Sequence, residues 1–355
     1  MTPIKRKIKN IILEEGPISV ADFMTVALTD TDHGYYRKRM PLGSKGDFVT
    51  SPDISQIFGE IIGIWVLDLF RKKEKFEEMQ IVDLGGGRGT LLSDIKRVLG
   101  DKVTNYIFLD INNGLIKLQK KNIKESLHFQ GLEDIPKKPT IFIGNEFLDT
   151  FPVNQFIKNK DCWREVCIDY KNQELIFCHK KTKLSKLLDN QKLISITTNT
   201  IIEVNFRSRD FIKKISSFIK KNNGGAIFFD YGYMDGYGDT LQAIKGNKFV
   251  NPLNDPGLSD ITSHVDFRDM IAQTKDGIVN TWGPDTQGSF LIKMGAIERL
   301  ESLERTSDNK TKQKLRSGLS RLIDEDKMGK LFKVFAITSN KFPSPDGFTC
   351  GTTST

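Results

Sequence analysis

Met79-Gln-Ile-Val-Asp-Leu-Gly-Gly-Gly-Arg-Gly-Thr-Leu-Leu92 sets an apolar run ahead of four glycines in five positions. Ile81–Leu84 reads as a strand and the residues from Thr90 as the start of a helix. Glycines in such a turn let the backbone bend sharply or approach a ligand closely. Backbone N–H groups and the positive end of the helix then face whatever is bound. Spacing narrows the choice of ligand. A dinucleotide fingerprint counted from Gly85 needs a glycine where Thr90 stands, and counted from Gly86 it needs one at Arg88. A phosphate loop fails as well, because no Gly-Lys-Ser/Thr closes the run. What remains is an acid followed by alternating glycines: Asp83, Gly85, Gly87 and Gly89.

Outward from this turn the chain alternates strand-like and helix-like texture. Tyr106–Asp110, Thr140–Asn145 and Ala226–Asp230 are short apolar runs ending in a polar or acidic residue, as strands buried on both faces do. Ser208–Ile219 carries Phe211, Ile212, Ile215, Phe218 and Ile219 at helical spacing, and so does the stretch from Ile57 to Leu69 after Ser51-Pro52-Asp53. The alternation predicts an α/β fold with a doubly wound parallel sheet and its ligands at the carboxyl ends of the strands. Val153–Phe156, Trp163–Ile168 and Glu174–Cys178 look antiparallel instead, with Lys171-Asn172-Gln173 as a turn. They form either an inserted sub-sheet or an extension of the main one. Residues 297–328 read as a charged helical segment and a candidate dimer surface.

Composition excludes several classes. With 38% hydrophobic and 28% charged residues the chain can bury a core. The longest apolar run, Ile61–Leu67, is too short to cross a membrane, so no membrane insertion is expected. The basic start Met1–Lys7 leads into Glu14-Glu15 rather than an apolar segment, and a cytoplasmic protein of bacterial type is expected. Cys162, Cys167, Cys178 and Cys350 form no CxxC pair and have no histidine partners at metal spacing, so no metal is expected. The net charge of +8 is spread over many lysine pairs without a nucleic-acid module, so solvated helix faces explain it best.

Asp83, Gly85, Gly87 and Gly89 resemble motif I of class I S-adenosylmethionine (SAM) methyltransferases. SAM carries an ammonium and a sulfonium, so acids near the loop suit it. About twenty residues on, Asp110 closes the second strand, where a carboxylate accepts ribose hydroxyl protons. Leu132, with Glu133 and Asp134, is placed to flank the adenine. Longer blocks extend the likeness: Gly34-Tyr-Tyr36, Gly46–Glu60, Asn145–Val153, Asp255–Phe267, Thr286–Phe290 and Met328–Lys333. Together they resemble the MidA family, which includes the mitochondrial complex I assembly methyltransferase and bacterial relatives. The resemblance runs from about residue 10 to residue 348. It implies a class I SAM-methyltransferase, Rossmann-like doubly wound sheet with an N-terminal helical lid and inserted elements. The lid segment is expected over 1–78 and the core over 79–340, with insertions near 153–200 and 297–328. Residues 341–355 form a tail whose end, from Gly347, is expected to be disordered. The implied cofactor is SAM, released as S-adenosylhomocysteine. The implied acceptor is a protein arginine, with a respiratory-complex subunit as the family precedent. Gly86 and Asn112-Asn113-Gly114 depart from the family pattern without removing an expected cofactor residue.

An arginine acceptor imposes its own demands. Its guanidinium stays protonated and its lone pairs are delocalised, so carboxylates must grip and orient it. The loop after the fourth strand offers Asn145, Glu146 and Asp149. Glu146 is the expected clamp and Asp149 its second, while Asn145 adjoins the cofactor. Acids that merely suit a helix N-terminus are the plain alternative. Thr50 and Ser51, with Asp47 and Phe48, are expected to cover the methionine end of SAM. Glu60 reaches the same pocket or pairs with a lysine. His264, in Asp260–Asp266, is a candidate proton acceptor, and Asp230-Tyr231-Gly232 borders the cleft, unless Asp230 caps a neighbouring turn instead. Two other readings stay open at this point. One keeps the SAM site with a small-molecule or nucleic-acid acceptor, although the Asn-Pro-Pro-Tyr-like motif of base methylation is absent. The other is a SAM-binding assembly factor without turnover.

Overall fold

The computed structural model describes residues 1–38, 49–72, 78–160, 162–182, 196–234, 236–274, 277, 279–349 and 351–352. Its central sheet is built from β1 (Gln80–Leu84), β2 (Asn105–Leu109), β3 (Leu127–Phe129), β4 (Thr140–Asn145), β5 (Gly224–Tyr233), β6 (Asn280–Thr286), β7 (Phe332–Thr338) and β8 (Gly351–Thr352). Their order across the sheet is β3–β2–β1–β4–β5–β7–β6–β8. Strands β3 to β5 are parallel, whereas β7 lies antiparallel between β5 and β6. The chain starts at β1, winds out to β3, and returns to β4 on the other side of β1. The reversal at β1/β4 opens a crevice at the carboxyl ends of the strands, where ligands of doubly wound sheets bind.

Alternate residues of the strands feed two cores, since successive side chains point to opposite faces. Ile81, Ile141, Ile143, Ile227 and Phe229 pack with the helices Gln56–Arg71 and Thr90–Leu99. Val82, Leu84, Phe142, Ala226 and Phe228 pack beneath the helices Phe206–Asn222 and Phe267–Ala272. Helix Gln56–Arg71 begins at Ser55, whose hydroxyl accepts from the Ile57 N–H, and the expected start Ser51-Pro52-Asp53 forms a separate turn, Ser51–Ile54. Helix Phe206–Asn222 begins earlier than Ser208, because Asn205 accepts the Ser208 N–H and caps it. The charged segment 297–328 divides into Ala296–Glu304 and Asn309–Ile323, Asp308 capping the second piece.

The antiparallel strands are a separate sheet. Asn154–Asn159, Cys162–Lys171, Glu174–Lys181 and Ile201–Val204 pair antiparallel, with Ile18–Ser19 on the edge. The turn Asn172-Gln173 has φ of 49° and 67°, as a two-residue hairpin loop of right-handed twist requires. This sheet shares a core with the N-terminal helices Pro3–Glu15 and Val20–Thr29 and with a small sheet of Gln242–Lys245, Lys248–Val250 and Asp260–Thr262. Residues of the expected 1–78 segment are thus divided. Helices up to Thr29 belong to this second core, whereas Gln56–Arg71 belongs to the central one.

In the expected tail, Phe348 packs at a tilt against Phe290 and the Thr349 N–H bonds to Asp285. Residues 353–355 lie outside the described ones. Among the described residues no helix is long and apolar enough to cross a membrane. Cys162, Cys167 and Cys178 are free, Cys162 being exposed; Cys350 lies outside the described residues.

Candidate active site

A cavity of about 770 Å³ occupies the β1/β4 crevice and is roofed by the second core. That is an ample volume for a nucleoside-sized ligand. Its floor is the glycine turn. Gly85, Gly87 and Gly89 have φ of 65°, 51° and 83°, so alternation in sequence is alternation of left-handed backbone. Gly86 has another reason to be glycine: a Cβ there would lie 2.5 Å from Phe108 and 2.8 Å from the Asp83 carboxylate. Gly89 is the N-cap of helix Thr90–Leu99. The Gly85 N–H bonds to the Leu109 carbonyl (2.9 Å), tying the turn to β2. From the helix after β2, Gln119 donates to the Gly87 carbonyl (2.9 Å) and steadies the turn from behind.

Two acids flank the turn. Asp83 is 2% exposed, and its Oδ2 has no hydrogen-bond partner among the described residues. Burial, and then the charge of Asp110, push its carboxyl well above the ordinary range. Asp110 stands one residue past β2 and accepts the Asn112 N–H (2.8 Å). Burial raises its carboxyl to about 6, opposed by bonds from Asn112, Gln119 and Gly87. Leu132 lies in the turn after β3 and lines the cavity with Leu109, Ile111 and Glu133. Buried carboxylates that no basic side chain pairs with among the described residues suit a ligand that brings positive charge.

Past β4 the wall becomes acidic. Glu146 takes a left-handed backbone, φ 49°, uncommon for a side chain of its size. Its N–H bonds to Phe229 (2.9 Å), and Oε1 accepts from the Ser51 N–H (3.2 Å) and from Asn145 (3.3 Å). Burial and the charges of Asp149 and Asp260 raise its carboxyl to about 8. Asp149 is 4% exposed; Oδ2 accepts the Tyr231 hydroxyl (2.5 Å) while Oδ1 has no partner among the described residues. Burial carries it to about 6 despite that bond. The turn holding both acids is itself capped. Asp230 Oδ2 accepts the N–H groups of Phe147, Leu148 and Asp149 at 3.1, 2.9 and 3.2 Å, the capping role open from sequence. Asp260 accepts the Tyr36 hydroxyl, and Thr262 bonds Tyr231 (2.8 Å), so the second core supplies further polar groups to this wall.

The remaining sequence candidates fall in different places. His264 lines the cavity, its ring packed T-shaped on Tyr231 with centroids 5.3 Å apart, and burial beside Lys333 holds its imidazole below the usual value. Thr50 lines the cavity; Ser51 is fully buried and reaches the site through its N–H to Glu146. Asp47 and Phe48 lie outside the described residues. Asp53, absent from the sequence candidates, lines the cavity and accepts the Thr90 hydroxyl (3.0 Å). Glu60 turns elsewhere: only 1% exposed, it pairs with Arg97 (3.0 Å) and Arg299 (2.8 Å) rather than with a lysine. Tyr231 lines the cavity, as its place after the strand implied, whereas Gln119, Tyr36, Asp260 and Thr262 were not among the sequence candidates. Tyr36, Asp260 and Thr262 do stand inside the blocks that carry the family resemblance, and that was their one signal.

The model of a family of S-adenosyl-L-methionine-dependent methyltransferases matches residues 61–284. The mitochondrial protein arginine methyltransferase NDUFAF7 of Danio rerio is 31% identical, the match covering 94% of this chain and 86% of the relative. The Homo sapiens protein of that name is 32% identical over 95% of this chain and 83% of its own length. A Burkholderia thailandensis protein crystallised with S-adenosyl-homocysteine shares the fold with a TM-score of 0.88 at 21% identity, covering 98% of this chain and 95% of that one.

Proposed function

This chain belongs to that family of S-adenosyl-L-methionine-dependent methyltransferases, and from that premise we propose that its acceptor is an arginine side chain of a protein. One observation carries the reading. Glu146 and Asp149 face a common cavity beside the glycine turn, and among the described residues no basic side chain pairs with either. A guanidinium, permanently charged and carrying five N–H donors, is the acceptor such a wall holds best. The NDUFAF7 relatives, matched over nearly the whole chain, are named for this activity.

The residues on the sheet side fit the cofactor. The unpartnered Oδ2 of Asp83 and the face of the glycine turn that lines the cavity would hold its amino-acid end, with Gly89 starting the helix behind them. Asp110 would take the ribose, Leu132 the adenine, and Asn145, Thr50 and Ser51 the border with the acceptor. When bound, SAM supplies an activated methyl group on a positively charged sulfur. This chain's residues then do the positioning, which dominates such a transfer. Glu146 Oε1 is engaged by Ser51 and Asn145, which leaves Oε2 for a guanidinium nitrogen. Asp149 Oδ1 meets a second edge, and Tyr231 fixes that carboxylate through Oδ2. A carboxyl raised to about 8 is a suitable resting place for the proton that the methylated nitrogen gives up. His264 is the alternative receiver of that proton.

The test is direct. The protein is incubated with methyl-labelled SAM and an extract of its host cell, the proteins are hydrolysed, and the labelled amino acids are identified by mass spectrometry. Methylarginine, absent with Glu146→Gln, is the expected result. Label confined to small molecules, nucleic acid or methyl-lysine would overturn the acceptor assignment. A respiratory-complex subunit, suggested by the sequence resemblance, is the first purified acceptor to try.

A further inference from the structure

We propose that Asp260, held in place by Tyr36, is a third carboxylate of the acceptor pocket and makes the pocket select a guanidinium over an ammonium. The inference rests on the arginine reading and deepens it. Asp260 opens the strand Asp260–Thr262 of the small sheet, and Tyr36 lies in the N-terminal segment, 224 residues away in sequence. Their side chains meet in a hydroxyl–carboxylate bond, and both line the cavity with Glu146, Asp149, Thr262 and Tyr231. Asp260 is 6% exposed and borders the cavity. It is close enough to Glu146 for its charge to help raise that carboxyl. An independent sign of a ligand here is Asp149 Oδ1, buried against the same cavity without a partner among the described residues.

Shape turns this arrangement into selectivity. An ammonium is a compact charge with three donors on one nitrogen, whereas a guanidinium spreads five donors along the edges of a plane. Glu146 and Asp149 come from the one loop after β4, and Asp260 from the small sheet. Acids supplied from two separate parts of the fold suit a planar cation with several edges better than a point charge. The simpler reading is a latch, in which the Tyr36–Asp260 bond only fastens the N-terminal segment to the small sheet.

Asp260→Asn separates the two readings, because its amide oxygen still accepts the Tyr36 hydroxyl while the charge is gone. Kinetics use the full chain, with arginine and lysine versions of one peptide acceptor, and calorimetry reports SAM affinity. We expect kcat/KM for the arginine peptide to fall about 30-fold, with most of the loss in KM. SAM affinity should stay within about twofold, and preference for arginine over lysine should shrink. Asp260→Glu should recover part of the loss. If Asp260→Asn does not fold, Tyr36→Phe carries the test, since it removes the bond that holds the carboxylate but keeps the charge. A fall of about fivefold in kcat/KM for the arginine peptide that exceeds the fall for the lysine peptide, at unchanged SAM affinity, supports the proposal; an equal fall for both, as a latch gives, or no fall overturns it. Wild type that methylates arginine while Asp260→Asn keeps its full rate also overturns this inference and leaves the arginine reading intact. Wild type that methylates no arginine overturns both.

Discussion

Glu146→Gln should make the protein more stable and less active at once. The substitution keeps the shape of the side chain, and a Gln Oε1 still accepts the two bonds from Ser51 and Asn145. Only the charge is removed. Moving the wild-type carboxyl from 4.5 to about 8 corresponds to about 4.8 kcal/mol of disfavoured charge. The side chain is only half-buried and borders a cavity open to water, and screening reduces the figure to about 2 kcal/mol. The sign follows from the direction. A carboxyl raised in the folded state binds its proton more tightly there, so its contribution to stability is complete below pH 4.5 and is lost as the pH rises through about 8. Urea unfolding should therefore show the variant more stable by about 2 kcal/mol at pH 8.5 and nearly equal to wild type at pH 4.5. At pH 8.5, where the wild-type carboxyl is ionised, its kcat/KM for an arginine acceptor should be lower by about 100-fold, and the gap should narrow as the pH falls below about 8. A stability difference independent of pH would refute the argument, because it would mean that the charge of Glu146 costs the fold nothing. Retained activity would remove Glu146 from the acceptor wall.

Asp110→Ala should weaken SAM about tenfold or more in calorimetric titration, the loss of charge-assisted bonds, while NAD binds neither protein. Gly86→Ala places a Cβ 2.5 Å from Phe108 and 2.8 Å from Asp83; a loss of about 2 kcal/mol in urea unfolding is expected, together with weaker SAM binding. Glu60→Gln leaves Arg97 and Arg299 short of their shared counter-charge and should cost about 3 kcal/mol. Its SAM affinity should be unchanged, because Glu60 faces away from the cavity, and a large change would contradict that placement.

Much of the site was legible because its causes are local. A strand buried on both faces must be an unbroken apolar run, so β1, β2, β4 and β5 announce themselves, each to within a few residues. Left-handed backbone favours glycine, so the turn's conformation was already visible in the alternation of Gly85, Gly87 and Gly89. Residues just past a strand end reach the crevice whatever lies elsewhere, which placed Asp110, Asn145 and Glu146. Boundaries were less legible where a cap decided them, as with Asn205 and Ser55, since several nearby polar residues could have served.

The sequence by itself determined the strand–turn–helix unit, the kind of sheet it starts and the acidic loop after β4. Tertiary structure alone decided which distant groups join them. Only folding brings Tyr36 to Asp260, seats Asp230 beneath the turn that holds Asp149, and turns Glu60 to two arginines instead of the cavity. The same holds for the antiparallel strands, whose pattern fits an extension of the main sheet as well as the separate sheet they form. The physical reason is one of range. Backbone preference and burial period act over a few residues and leave their mark in composition, whereas pairing between segments 82 or 224 residues apart depends on loop closure and packing that no local pattern encodes.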